Sequence, residues 1–157
     1  MSVRNIVDKL TPDGVRLKKM LGELAKLEVR VGFQHGDATE EDGTDICDVA
    51  AWNELGTSRA PSRPFLRQSV DDNEGKINSF LNAQKKAILS GTSAKDVLNK
   101  IGIFQKDLIQ EKILQGDFVP NAPSTIAKKK SDRPLIDTGR MRQSVNYVIK
   151  SKGERSD

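Results

Sequence analysis

The chain has 157 residues, long enough for one domain with its own core and too short for two comfortable ones. An apolar share of 36% can build that core, while a charged share of 31% and a net charge of +4 lean toward a helical, strongly solvated protein. No stretch approaches the roughly 20 apolar residues that span a bilayer. Arg4, Asp8 and Lys9 also stand where a signal peptide needs an apolar run, so the expected setting is a cytosol-like compartment with no membrane contact. Cys47, the only cysteine, excludes an internal disulfide and a thiolate metal cluster within one chain; it reads as a small apolar residue on a helix face.

The net charge conceals an asymmetry. Residues 35–55 hold Asp37, Glu40, Glu41, Asp42, Asp45, Asp48 and Glu54 with no Lys or Arg, whereas residues 119–157 hold nine basic residues against four acidic ones. Opposite charges at two ends of one fold favour head-to-tail contact between copies. The plainer reading is two solvated surfaces.

Thr11, Pro12 and Asp13 predict a helix start, with threonine at the cap, proline in the first turn and an acid at the positive end of the dipole. This helix reaches about Lys26. Val15, Leu17, Leu21, Leu24 and Leu27 form its apolar stripe, and Arg16, Lys18, Lys19 and Lys26 take other positions. Residues 28–34 alternate with period two and put Val29, Val31 and Phe33 on one face of a strand. Residues 35–44, acidic with two glycines, predict a mobile loop. Its likeness to a calcium loop is superficial: counting from Asp37, the sixth position is Asp42 where glycine is needed, and the twelfth is Asp48 where glutamate is needed.

Asp45 then caps a short helix to Leu55 that carries Trp52, the only tryptophan. Ile46, Val49, Ala50 and Asn53 recur at helical spacing, and Gly56 offers the left-handed conformation that closes a helix. The loop that follows holds Arg59, Arg63 and two prolines, so it reads as a short, stiff frame displaying two guanidinium groups. Pro64 falls in the first turn of the next helix, with Ser62 or Arg63 just outside. That helix runs toward Leu89 with Leu66, Val70, Ile77, Phe80, Leu81 and Ile88 near one face. Asp71, Asp72, Glu74 and Gly75 bend it or divide it in two.

Thr92 or Ser93 caps the strongest periodic segment, residues 94–115, where Val97, Leu98, Ile101, Phe104, Leu108, Ile109 and Lys112 share one broad face. This is the expected central helix. Ile103 and Leu114 fall off the stripe, as ordinary surface residues or as a second contact with a neighbouring subunit. After Gly116, residues 118–123 read as loop. Ser124 caps a short helix through Lys130, and Lys128, Lys129 and Lys130 form a basic run. Asp137 or Thr138 caps a short helical turn, and Val145, Tyr147 and Ile149 alternate as a second strand.

The expected architecture is α+β, with a small, mostly antiparallel sheet packed against several helices, two of them long. A single domain covers residues 1–150, and residues 151–157 form a flexible tail. A lone two-stranded sheet is marginal in water, so its strands are expected to gain partners near Phe118 or Gly56, or from other subunits.

Materials for catalysis are thin. His35 is the only histidine and sits in a polar loop; there is no glycine-rich phosphate loop ending in Gly-Lys-Ser/Thr and no histidine pair at metal spacing. No catalytic residue, metal ligand or cofactor is expected. Arg59, Arg63, Arg67, Lys128, Lys129, Lys130, Arg140 and Arg142 could line a basic surface. With aromatic residues at only 4% and not interleaved with these charges, any nucleic acid would be met by phosphate contact alone, without sequence choice.

Five motifs, kept in order, carry a resemblance. They are Val-Gly-Phe at 31–33, Ala-Ala-Trp-Asn-Glu-Leu-Gly-Thr at 50–57, Pro-Ser-Arg-Pro-Phe-Leu-Arg at 61–67, Pro-Asn-Ala-Pro-Ser-Thr-Ile at 120–126 and Pro-Leu-Ile-Asp-Thr-Gly-Arg-Met-Arg-Gln-Ser at 134–144. Across about residues 29–149 the chain resembles the tailed-phage virion morphogenesis family, the neck and tail-completion proteins that join head to tail. The resemblance implies a structural virion protein, assembled in the host cytoplasm, forming a ring in the neck. Its partners would be further copies of itself, a head-completion or connector protein, and tail terminator or tail tube proteins, with genomic DNA passing through the lumen. Tail symmetry favours six copies over twelve. The residues expected at assembly contacts are Glu54, Gly56, Thr57, Arg59, Arg63, Pro64, Phe65 and Arg67 in the first motif region, and Asp137, Thr138, Gly139 and Arg140 in the last. Arg59 and Arg63 are expected to touch a neighbouring subunit or ring, with Glu54 anchoring the loop by pairing with Arg63 or Arg67. The alternative is a sequence-independent DNA-binding accessory protein acting through its basic surface.

Overall fold

The computed structural model describes residues 9–129 and 132–154. Among the described residues helices make up 56% and strands 10%, an α+β fold with a helix-packed sheet. The elements in order are α1 (Pro12–Lys26), β1 (Leu27–Gly32), α2 (Ile46–Leu55), α3 (Phe65–Asp71), α4 (Glu74–Leu89), α5 (Ala94–Gln115), α6 (Pro123–Lys128), α7 (Arg140–Gln143) and β2 (Asn146–Ser151).

α5 is the axis. Its 22 residues span roughly 33 Å, and its start is fixed by a reciprocal cap in which Ser93 Oγ accepts the Asp96 N–H at 3.1 Å and donates to the Asp96 carboxylate at 2.7 Å. At its N-terminal half Ala94, Val97 and Leu98 are buried, with α1 and the end of α4 alongside. Phe104 stacks on Phe80 of α4 with ring centroids 4.1 Å apart. At its C-terminal half Ile109 and Ile113 join Ile46, Ala50, Phe65, Phe118, Leu135, Met141 and Val145 in the main hydrophobic cluster. That cluster draws on the motifs at 50–57, 61–67 and 134–144, so those three meet at one end of the central helix.

β1 and β2 pair antiparallel, Leu27 opposite Ser151 and Gly32 opposite Asn146. The period-two pattern puts Val29, Val31, Tyr147 and Ile149 on one face. That face lies on α5: the Tyr147 ring occupies the space where a Cβ on Gly102 would stand, only 2.4 Å away. Among the described residues no third strand forms near Phe118 or Gly56. The expectation of added strands is therefore corrected there: α5 covers the sheet, and Phe118 is buried in the core.

Other expectations change in instructive ways. Val15 and Leu21, placed on the apolar stripe of α1, are exposed, and Met20 is the buried residue of that helix. The acidic stretch 35–44 is a folded double turn: Glu40 N–H donates to the Thr44 carbonyl at 2.8 Å, Ile46 N–H to the Ala38 carbonyl at 2.9 Å, and Thr39 bridges Asp45. The helix after Pro64 divides at residues 72–73, where Asp72 is drawn aside by Lys112 of α5 at 2.5 Å and poor helix formers weaken the ladder. α6 begins at Pro123 with Ala122, not Ser124, at its cap; Lys130 lies outside the described residues. Residues 151–154 are held in the fold. Ser151 belongs to β2, the Lys152 N–H donates to the Lys26 carbonyl at 2.8 Å, and the Glu154 carbonyl accepts from Arg30. Residues 155–157 lie outside the described residues. No described helix is long and apolar enough to cross a membrane.

Candidate functional site

Residues 53–67 fold into a closed frame. α2 ends where the Gly56 N–H donates to the Trp52 carbonyl at 2.9 Å, and the chain turns through φ 76 and ψ 173, a conformation open essentially to glycine. A side chain at Gly56 would also sit 2.7 Å from the Ser62 nitrogen, because the two arms of the loop run that close together. At the tip, Thr57 Oγ accepts from the backbone N–H groups of Arg59 at 3.2 Å and Ala60 at 3.0 Å. The base is tied by Arg63 N–H to the Asn53 carbonyl at 2.6 Å and Ser62 Oγ–H to the Glu54 carbonyl at 2.7 Å.

Glu54 anchors the loop by a route different from the expected pairing with Arg63 or Arg67. Its carboxylate accepts the backbone N–H groups of Leu66 at 2.8 Å and Arg67 at 3.1 Å. The reason lies in α3, which has Pro64 at its cap and so no side-chain oxygen to satisfy its first N–H groups; a carboxylate at that positive end supplies what the cap residue cannot. The Arg67 side chain instead faces Asp71 at 4.0 Å. Phe65 is fully buried at the start of α3, edge-on to Phe33 with centroids 6.0 Å apart.

Arg63 is the larger correction. It is 6% exposed and points inward, donating from Nε to the Val119 carbonyl at 2.8 Å and from Nη2 to Asn121 Oδ1 at 3.1 Å and the Pro120 carbonyl at 3.3 Å. Burial pulls its pKa below the ordinary value, although a guanidinium stays charged. Arg63 is thus an internal strut joining the loop to residues 119–121, and the exposed cation of the loop is Arg59.

The last motif packs beside the first. Leu135 and Met141 are buried in the shared cluster, and Asn53 Nδ2 lies 3.9 Å from Met141 Sδ. Gly139, at φ 81, takes the cap position of α7; Asp137 does not, and Thr138 contributes only a 3.3 Å contact from its Oγ to the Arg140 N–H. Arg140 donates to the Thr39 carbonyl at 3.2 Å and reaches Glu41 at 3.5 Å. A cleft of about 360 Å³ there is lined by Glu40, Glu41, Asp42, Asn53, Lys129 and Arg140 among others. The acidic loop and part of the basic C-terminal region therefore meet within one chain, not at opposite ends of the fold. The loop is braced by its own carboxylates. Asp45 accepts N–H groups from Cys47 at 2.8 Å and Gly36 at 2.7 Å, and these bonds hold its pKa below the usual carboxylate value, with His35 adding to the effect. The Thr44 hydroxyl and N–H do the same for Asp42. Burial pushes the Cys47 thiol up, in keeping with a packing role.

The arrangement is an exposed loop tip on a hydrogen-bonded frame. Thr57, Ser58, Arg59 and Ala60 project from a frame fixed at Glu54, Gly56, Arg63 and Phe65. Beside them Trp52 is 51% exposed and Leu55 78% exposed, two large apolar residues that the stripe of α2 leaves on its outer side. The sequence signal for them is their position off the Ile46, Val49, Ala50, Asn53 stripe. The proposed basic surface is thinner than its sequence suggests, since Arg63 is internal and Arg140 leans on Glu41.

The fold is that of a small α+β protein in which the turn at Gly56 and the Glu54 cap on α3 hold one loop outward. Compared with known proteins, the chain matches no family model, no curated protein and no solved structure.

Proposed function

We propose that the chain is a structural virion protein of a tailed phage, forming a ring in the neck that joins the DNA-filled head to the tail without performing catalysis. The ordered motifs at residues 31–33, 50–57, 61–67, 120–126 and 134–144 suggest it. The observation that carries it is the frame at residues 53–67, which holds Arg59 and the loop tip outward next to the exposed Trp52 and Leu55. A tip already ordered before binding loses little entropy on docking, as a repeated assembly contact requires. In this reading the ring contacts a head-completion or connector protein on one side and tail terminator or tail tube proteins on the other. Six copies follow the tail symmetry, and genomic DNA in the lumen meets phosphate contacts only.

The test is a phage lacking the gene, with its particles imaged. Filled heads and finished tails should accumulate unjoined. Wild-type protein should restore joining, and Arg59→Glu, at an exposed tip that carries no core packing, should fold and fail to restore it. Joined, infectious particles in the absence of the protein would sink the proposal. Arg63 stays unchanged in this test, because its buried guanidinium supports the fold itself.

A further inference from the structure

Two exposed apolar faces sit at different ends of α5 and differ in charge. One is at α1, where Val15 and Leu21, with Leu10 just before the helix, are exposed among exposed Lys18, Lys19 and Lys26, against the single further exposed acid Glu23. Asp13 on that helix is already paired with Arg16, and among the described residues no ion pair engages the three lysines. The other is on α2, where Trp52 and Leu55 are exposed beside Asp48, with Asp37 and Asp42 exposed in the loop that precedes the helix; Glu41 there faces Arg140, and Arg59 is the one cation of the adjoining loop tip. α1 lies against the α4–α5 turn, lining a cleft with Ile88, Gly91 and Ser93, whereas Ile46 and Ala50 of α2 belong to the core cluster that holds Ile109 and Ile113 of the C-terminal half of α5. From Ser93 to Ile109 is about 24 Å along the helix axis.

We infer that copies of the chain associate head to tail, the basic apolar face of α1 seated on the acidic apolar face of α2 in the next copy. The occupant is a second copy because each face carries what the other lacks, an apolar patch with the opposite charge. Two-fold pairing of either face with itself would set like charges against each other. Contact between two different surfaces is heterologous, and such contacts generate closed rings when their rotation closes. The inference rests on the neck-ring reading and names the surfaces that would build the ring.

Two variants isolate the faces: Val15→Ser with Leu21→Ser on α1, and Asp48→Ser with Leu55→Ser on α2. All four residues are exposed, so circular dichroism and thermal melts should match wild type. In analytical ultracentrifugation the wild type should assemble, less so at high salt, and each variant alone should be monomeric. Mixed in equal amounts, the two variants retain one intact interface between them and should form a one-to-one heterodimer that grows no further. Trp52, the only tryptophan, reports the same event by a fluorescence blue shift as its exposed ring is covered. A wild type that stays monomeric at every concentration, a variant that assembles like wild type, or a mixture with no heterodimer would each overturn the inference. Wild type that assembles this way yet is missing from virions would overturn the neck reading and leave this interface standing. A neck protein whose variants fail to pair would do the reverse.

Discussion

Arg63-Pro64-Phe65 and Arg133-Pro134-Leu135 are two settings of one local design, an arginine and a proline ahead of a buried apolar anchor. Both arginines reach backbone carbonyls at or beyond the end of α5, Arg63 those of Val119 and Pro120, Arg133 that of Leu114. The outcomes differ. Arg63 is sealed, three acceptors around its guanidinium and the fully buried Phe65 two residues on, whereas Arg133 is exposed and α7 follows only after a further turn at Gly139. What separates them is how the chain returns. The first motif is closed from behind by Gly56, Ser62 and Glu54 within fourteen residues, and the second opens onto the acidic cleft. The first region is therefore closed by its own hydrogen bonds, and the second stands open on one side.

Removing the two arginines should show the largest contrast. Arg63→Ala leaves the Val119 and Pro120 carbonyls without their donor and should lower stability by about 3 kcal/mol, whereas Arg133→Ala at an exposed position should cost less than about 1 kcal/mol. Urea unfolding midpoints measure both, and equal losses would mean that the burial of Arg63 is unimportant. The glycines come next. Gly56→Ala meets both a glycine-only conformation and the Ser62 backbone and should cost about 2 kcal/mol or more. Gly139→Ala, with nothing closer than the Gln143 side chain at 3.8 Å, should cost about 1 kcal/mol from its left-handed backbone alone. Glu54→Ala, losing two N–H acceptors at the start of α3, should cost about 1 kcal/mol, against a few tenths, roughly, for Thr138→Ala. Matching losses in the same unfolding assay would mean that Glu54 is no better a cap than Thr138.

The smallest expected effect is a pH dependence in the acidic loop beside the second region. The folded pKa of Asp45 is depressed, so its contribution is complete above the unfolded carboxylate value of about 4 and is lost as pH falls through the lower folded value. Thermal melts from neutral pH downward should show part of this acid destabilisation, and Asp45→Asn should flatten that part. A parallel curve for the variant would remove Asp45 from the explanation.

Much of the fold could be read locally. The caps at Thr11, Asp45 and Ser93 were legible because each bonds a backbone N–H two or three residues on, at Gly14, Cys47 and Asp96. The α5 stripe was legible because burial follows the helical period. Arg63 was not, because its acceptors lie 56 to 58 residues away and nothing near it in sequence distinguishes a displayed guanidinium from a buried one. Glu54 misled for a related reason: its true partners are backbone groups that exist as free donors only once α3 starts at Phe65. The charge asymmetry was visible, but its geometry was not. Arg140 and Lys129 come back onto the acidic loop, leaving α1 as the distant basic face.

Electron cryomicroscopy of intact phage virions is the most direct test of the proposed structural role. A ring of copies should occupy the neck between the portal complex and the tail tube, with the 57–60 loop at a contact between subunits or rings. Virions whose neck contains no copy of this chain would contradict that role.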